Sequence, residues 1–64
     1  MSLEFYEVWA RDEDDHEELV ETTIVKKQAL ELAKQCLEDG YVAGIVYQED
    51  ENGEPVELQR FERG

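Results

Sequence analysis

A 64-residue chain with a formal net charge of −12 makes one domain, near the lower limit at which a single hydrophobic core holds a protein together without help. Its 18 acidic against 6 basic residues set up a negative field that repels phosphate backbones and anionic lipid, which argues against direct nucleic-acid or membrane binding and favours basic proteins and cations as partners. An apolar fraction of 41% is too high for a disordered acidic tail, and the single cysteine excludes an internal disulfide.

No apolar run approaches the roughly 20 residues that span a bilayer, and the acidic start lacks the basic and apolar regions of a secretory signal. With a free thiol suited to a reducing compartment, the expectation is a soluble, cytoplasmic protein. Oligomerisation is the remaining means of stabilising so small a core, so a homodimer is expected.

Residues 3–11, LEFYEVWAR, are rich in aromatic and β-branched side chains and read as a strand that is apolar on both faces. Tyr6, Val8 and Ala10 point one way, and Leu3, Phe5 and Trp9 the other. The run DEDDHEE over residues 12–18 cannot bury itself and favours a turn, because Asp hydrogen-bonds its own backbone readily. Residues 18–23, ELVETT, resume alternation and close a first hairpin, with Val20 and Thr22 opposite Leu19 and Glu21.

From Ile24 the period changes. Val25, Ala29, Leu32, Ala33 and Cys36 recur at helical spacing, widened by Leu30 and Leu37, while Lys26, Lys27, Glu31, Lys34 and Gln35 lie largely off the stripe. Thr22 or Thr23 is the expected N-cap, and Gly40 stands where a left-handed residue ends a helix.

Residues 41–48, YVAGIVYQ, form a third strand, again apolar on both faces. Asn52-Gly53 signals a hairpin with a type I′ turn. Residues 55–62, PVELQRFE, return as the fourth strand, which Pro55 marks as an edge because it cannot donate to a ladder.

The order is ββαββ, an α+β domain with one four-stranded, mainly antiparallel sheet and a single helix on one face. Spatial order 2-1-3-4 makes every neighbouring pair antiparallel. The chain shows no linker, and no repeat beyond its acidic tips. Ten of the 18 carboxylates fall in residues 12–18 and 49–54, so the charge is bipolar, with tips about 20 Å apart along the strands. The second tip should lie near the helix start, where Lys26 and Lys27 oppose the helix dipole and can answer it.

Catalysis finds little support. Cys36 and His16 are the one conceivable nucleophile and base, yet Cys36 falls near a helix C-terminus on its apolar stripe, where a thiolate is not stabilised. Asp12, Asp14 and His16 alternate like the opening of a calcium loop, as do Asp50, Asn52 and Glu54. The positions where such a loop needs glycine and a closing glutamate hold Glu17 and Thr23, then Pro55 and Phe61, so solvated turns are the simpler reading. Paired carboxylates need a cleft that separates their pKa values, which one helix on one sheet scarcely offers. The scattered glycines make no phosphate loop. No catalytic residue, metal site or cofactor is expected.

The informative constellation is apolar. With the helix covering Tyr6, Val8, Ala10, Val20, Ile45, Tyr47, Val56 and Leu58, the opposite face would present Leu3, Phe5, Trp9, Leu19, Val42, Val46 and Phe61 to a protein partner or a second copy, with Trp9 and Phe5 as anchors. Glu7, Arg11, Glu21, Glu57 and Gln59 would interrupt it. The other candidate surface is the acidic tips, Asp12, Glu13, Asp14, Asp15, Glu49, Asp50 and Glu51, which could occupy the basic groove of a nucleic-acid-binding protein. In composition, though in no motif, this resembles phage-encoded inhibitors that mimic nucleic acid, and implies an inhibitor of the anti-restriction, anti-CRISPR or antitoxin-like kind. The expected function is therefore a non-catalytic interaction module, with the acidic inhibitor as the alternative.

Overall fold

The computed structural model describes residues 5–63. They form β1 (Tyr6–Arg11), β2 (Glu17–Thr23), α1 (Lys26–Glu38), β3 (Ala43–Glu49) and β4 (Pro55–Glu62), in one open antiparallel sheet ordered β2-β1-β3-β4. This is the ββαββ, α+β architecture expected from the sequence, in the expected strand order. Among the described residues no helix is long and apolar enough to cross a membrane.

The helix packs chiefly on the central pair, β3 and β1. It can approach closely because its inner stripe is small: Ala29, Ala33 and Cys36 are its buried residues. They meet Tyr6, Val8 and Ala10 from β1 and Val46 from β3, and Leu30, Leu32, Tyr41 and Phe61 pack around this core. The closest approach is at Gly44, where an added Cβ would collide with the carbonyl oxygen of Ala33 and stand 2.8 Å from its carbonyl carbon.

Both helix ends follow from local chemistry. The N-cap position is Val25, without a side-chain cap, and not Thr22 or Thr23. Thr23 acts one step earlier: its Oγ1 accepts from the Val25 N–H at 3.2 Å and donates to Gln28 Oε1 at 3.1 Å. At the other end Gly40 takes a left-handed φ of 102°, its N–H donating to the Leu37 carbonyl while that of Tyr41 donates to the Cys36 carbonyl. This is a Schellman closure, and it directs Tyr41 back onto the core. Charge and dipole disagree: the first turn holds no acid and the last no base. Among the described residues Lys26 and Lys27 form no ion pair with the second tip.

The third strand has the opposite phase to the one expected. Facing residues of an antiparallel pair share a side of the sheet, and Val8 faces Val46 while Ala10 faces Gly44. Gly44 and Val46 therefore lie under the helix, and Ala43, Ile45 and Tyr47 lie on the open side. Alternation could not decide this, because Ala43, Gly44, Ile45 and Val46 are all buried. The close seat for the helix at Gly44 decides it.

Each edge strand also carries a bulge. The register skips Val20 between the pairs Val8 with Glu21 and Trp9 with Leu19, and skips Leu58 between Val46 with Gln59 and Tyr47 with Glu57. Val20 and Leu58, expected beneath the helix, are instead exposed. Bulges strengthen twist and blunt edges against pairing with other strands.

These bulges belong to a duplication that the sequence conceals. Asp12 and Asp50 each begin a hairpin loop, and each Oδ1 accepts the N–H groups two and four residues on: Asp14 and His16 at 2.9 and 3.0 Å, Asn52 and Glu54 at 2.8 and 3.0 Å. The carbonyl of each accepts the N–H three residues on, from Asp15 or Gly53. These two residues are left-handed, with φ of 65° and 78°. Both loops are thus type I turns closed by a left-handed residue, and the second is not the two-residue type I′ turn that Asn52-Gly53 suggested. Val8 and Val46, Trp9 and Tyr47, Asp12 and Asp50, Val20 and Leu58 keep one constant offset along the chain. The two hairpins are related by an approximate twofold axis through the Val8 and Val46 pair.

Candidate functional site on the open sheet face

Three rows of facing residues cross the side of the sheet away from the helix. Glu17, Arg11, Ala43 and Glu62 form the first, Leu19, Trp9, Ile45 and Arg60 the second, and Thr22, Glu7, Tyr47 and Glu57 the third. The centre is aromatic and aliphatic, and the frame is charged. Ile45 and Ala43 are buried although they lie on the face opposite the helix, whereas Trp9 and Tyr47 remain half-buried.

Of the residues expected here, Trp9 and Leu19 are in place, and Leu19 is well exposed at 48%. Phe5 precedes β1 and is also exposed. Val46 and Phe61 belong to the helix side, the latter with Lys34 Nζ 5.6 Å from its ring centre. Val42 precedes β3 with the parity of Gly44 and Val46. Leu3 lies outside the described residues. Among the expected interruptions, Glu7, Arg11 and Glu57 are present, while Glu21 and Gln59 face the helix side.

The face is not flat. Glu7, Trp9, Glu17, Tyr47 and Pro55 line a shallow open depression of about 210 Å³. Glu17 and Pro55 come from opposite corners of the sheet, beside Arg11 and Glu49 respectively. Both can line one depression because twist raises these two corners on the same side, and the bulges sharpen that twist. The symmetry is visible in the lining: Trp9 answers Tyr47, and Glu17 answers Pro55.

Local bonds set the electrostatics. Trp9 Nε1 donates to Glu7 Oε1 at 3.2 Å, fixing the indole in the floor. Arg60 is occupied by Glu57 at 2.6 Å and Glu62 at 3.4 Å. Arg11 reaches Asp15 at 3.9 Å. Among the described residues Glu7 and Glu17 have no ion-pair partner. The Tyr47 hydroxyl is pushed above its ordinary pKa by burial and then by the charges of Glu17 and Glu57, with Arg60 and Arg11 offsetting part. The depression is therefore negative as well as aromatic.

The acidic loops stand at opposite ends of a molecule 38 Å long. Asp12 and Asp50 are engaged in their own backbones, whereas Glu13, Asp14 and Asp15 are exposed in the first loop, as are Glu49 and Glu51 beside the second. Among the described residues no three His, Cys, Asp or Glu side chains gather as a metal site would require. Cys36 is buried, and its thiol pKa is raised by burial first and by the Asp39 charge second, conditions opposite to those that activate a nucleophile.

Sequence reasoning missed Tyr47, Glu7, Glu17 and Pro55 as a group. Gly44 was the available signal, since a glycine in a strand marks close backbone approach, and the small stripe Ala29, Ala33 and Cys36 was its complement. No family model matches the chain, and the comparisons with curated proteins and with solved structures gave no match.

Proposed function

We propose that this protein is a non-catalytic interaction module that binds a basic region of a partner protein through its open sheet face. The observation that carries this reading is the depression between Trp9 and Tyr47, which joins aromatic surface to the uncompensated carboxylates of Glu7 and Glu17. Half-buried aromatics in a polar frame are the usual anchors of protein recognition. The net charge of −12 favours encounter with a basic surface and disfavours a second copy, because two such faces would bring Glu7 and Glu17 against their own like. The acidic tips, at either end of the same sheet, then act as steering charge, so the inhibitor reading and the interaction-module reading share one surface. Such binding would take place in the cytoplasm, where the free Cys36 thiol stays reduced.

The test uses immobilised wild-type protein and a Trp9→Ser/Leu19→Lys variant to capture partners from the native source, followed by reconstitution with each purified partner. A partner retained by the wild type, and by a Lys34→Ala control on the helix side, but lost by the double variant is the expected result. Binding that survives the double variant would overturn the reading.

A further inference from the structure

We infer that the depression on the open face is a subsite for one cationic side chain, an arginine or lysine of the partner, held between the Trp9 and Tyr47 rings and the Glu7 and Glu17 carboxylates. The inference rests on the reading of the open face as the partner surface and specifies its chemistry.

Size argues first. A volume of about 210 Å³ falls below the roughly 300–1,000 Å³ of pockets that enclose whole small-molecule ligands, and suits one long side chain laid across an open floor. The chemistry of the lining argues second. Aromatic faces attract guanidinium and ammonium groups through their quadrupoles, tryptophan most strongly. The apolar stem of such a side chain matches the Pro55 and tyrosine surface while its charged head stays near the carboxylates. Preorganisation argues third. Glu7 already holds the indole by the 3.2 Å bond from Trp9 Nε1, so the floor does not need ordering on binding. Neither arginine of the face belongs to the lining: Arg60 is bonded to Glu57 and Glu62, and Arg11 reaches Asp15 at 3.9 Å.

The negative balance around the depression also separates it from the acidic tips. The tips are carboxylates in solvated loops, which attract any cation weakly. The depression adds aromatic contact, and so should discriminate an arginine from a neutral group of the same shape.

The experiment titrates ¹⁵N-labelled protein with N-acetyl-argininamide, and separately with the citrulline analogue, which keeps the shape and loses the charge, at matched ionic strength. Saturable shifts of the Trp9 indole N–H and of the Glu7 and Tyr47 amides with the arginine compound, and little change with citrulline, are expected. Trp9→Leu should weaken binding by about threefold to fivefold. Glu17→Gln, on an exposed edge where folding is not at stake, should weaken it by about twofold to fivefold. Equal responses to both compounds, or shifts confined to residues 12–16 and 50–54, would overturn the subsite. The two readings fail separately: a partner lost on Trp9→Ser/Leu19→Lys without a saturable arginine response removes the subsite and leaves the face. Arginine bound at Trp9 beside a partner bound elsewhere does the reverse.

Discussion

Replacing Gly44 by alanine should be the most damaging single-methyl change in this protein. Its Cβ would lie 2.8 Å from the Ala33 carbonyl carbon and 3.0 Å from its Cα, where ordinary contact begins at 3.4 Å. The obstacle is helix backbone, the Ala33 carbonyl oxygen closest of all, so no side chain can turn away, and α1 must withdraw by roughly an ångström or more along its whole inner stripe. Ala29, Ala33 and Cys36 would then loosen their packing on Val8, Ala10 and Val46. Overpacking costs about 1–3 kcal/mol, and a backbone collision belongs at the upper end, about 3 kcal/mol. A chain of this size has roughly 3–10 kcal/mol of total stability, so the loss would be a large share. The melting temperature should fall by about 12–24 °C. Urea and thermal unfolding followed by circular dichroism would measure it, with Gly40→Ala as the comparison. Gly40 has a left-handed φ of 102° and nothing within 4 Å of an added Cβ, so its cost is backbone strain alone, about 1–2 kcal/mol. A Gly44→Ala protein as stable as Gly40→Ala would refute the helix seat and, with it, the assignment of Tyr47 and Ile45 to the open face.

The hairpin duplication makes Asp15→Gly an expected gain of about 1 kcal/mol, since Asp15 holds the left-handed place that Gly53 fills in the second loop and its 3.9 Å contact with Arg11 contributes little; an unchanged or lower midpoint would count against the shared loop geometry. Asp12→Ala and Asp14→Ala remove the same charge, but only Asp12 accepts two backbone N–H groups, so the first should lose about 1–2 kcal/mol and the second none, as paired urea titrations would show. Cys36 should react slowly with a thiol reagent when folded and quickly in denaturant, because its thiol is buried with a raised pKa. For the same reason the contribution of this thiol to stability should be full below pH 9.0, its ordinary value: above it the unfolded chain loses the proton first, so that contribution falls with rising pH, and Cys36→Ala should flatten the fall. Added salt should raise the midpoint by screening the net charge of −12, and a fall between 50 mM and 500 mM sodium chloride would contradict self-repulsion as the dominant surface term.

The fold was legible where one physical signal dominated. The helix stripe through Ala29, Ala33 and Cys36, the glycine after it and the two acidic turns each left a period or a residue type that admits few alternatives. The strand order followed because antiparallel neighbours solved the connections most simply. The face assignments of β3 were not legible, since a strand buried on both sides has no polar half to betray its phase. The bulges at Val20 and Leu58 were hidden for a related reason: one extra apolar residue in an exposed edge strand reads as continued alternation. From those two effects came the loss of Val46 and Phe61 from the candidate site and the omission of Tyr47. Trp9 survived because Glu7 and Arg11 flank it on the same face and give β1 the polar half that β3 lacks.

A basic partner that meets the open face at Trp9 and Tyr47 should leave its footprint there when the captured partner is added to the ¹⁵N-labelled protein. The largest shifts, and the strongest protection from hydrogen exchange, are expected at Glu7, Trp9, Leu19 and Tyr47, with smaller changes toward the two acidic loops. A footprint centred on the outer side of α1, at Lys27, Glu31 and Lys34, with the Trp9 indole signal unmoved, would contradict it.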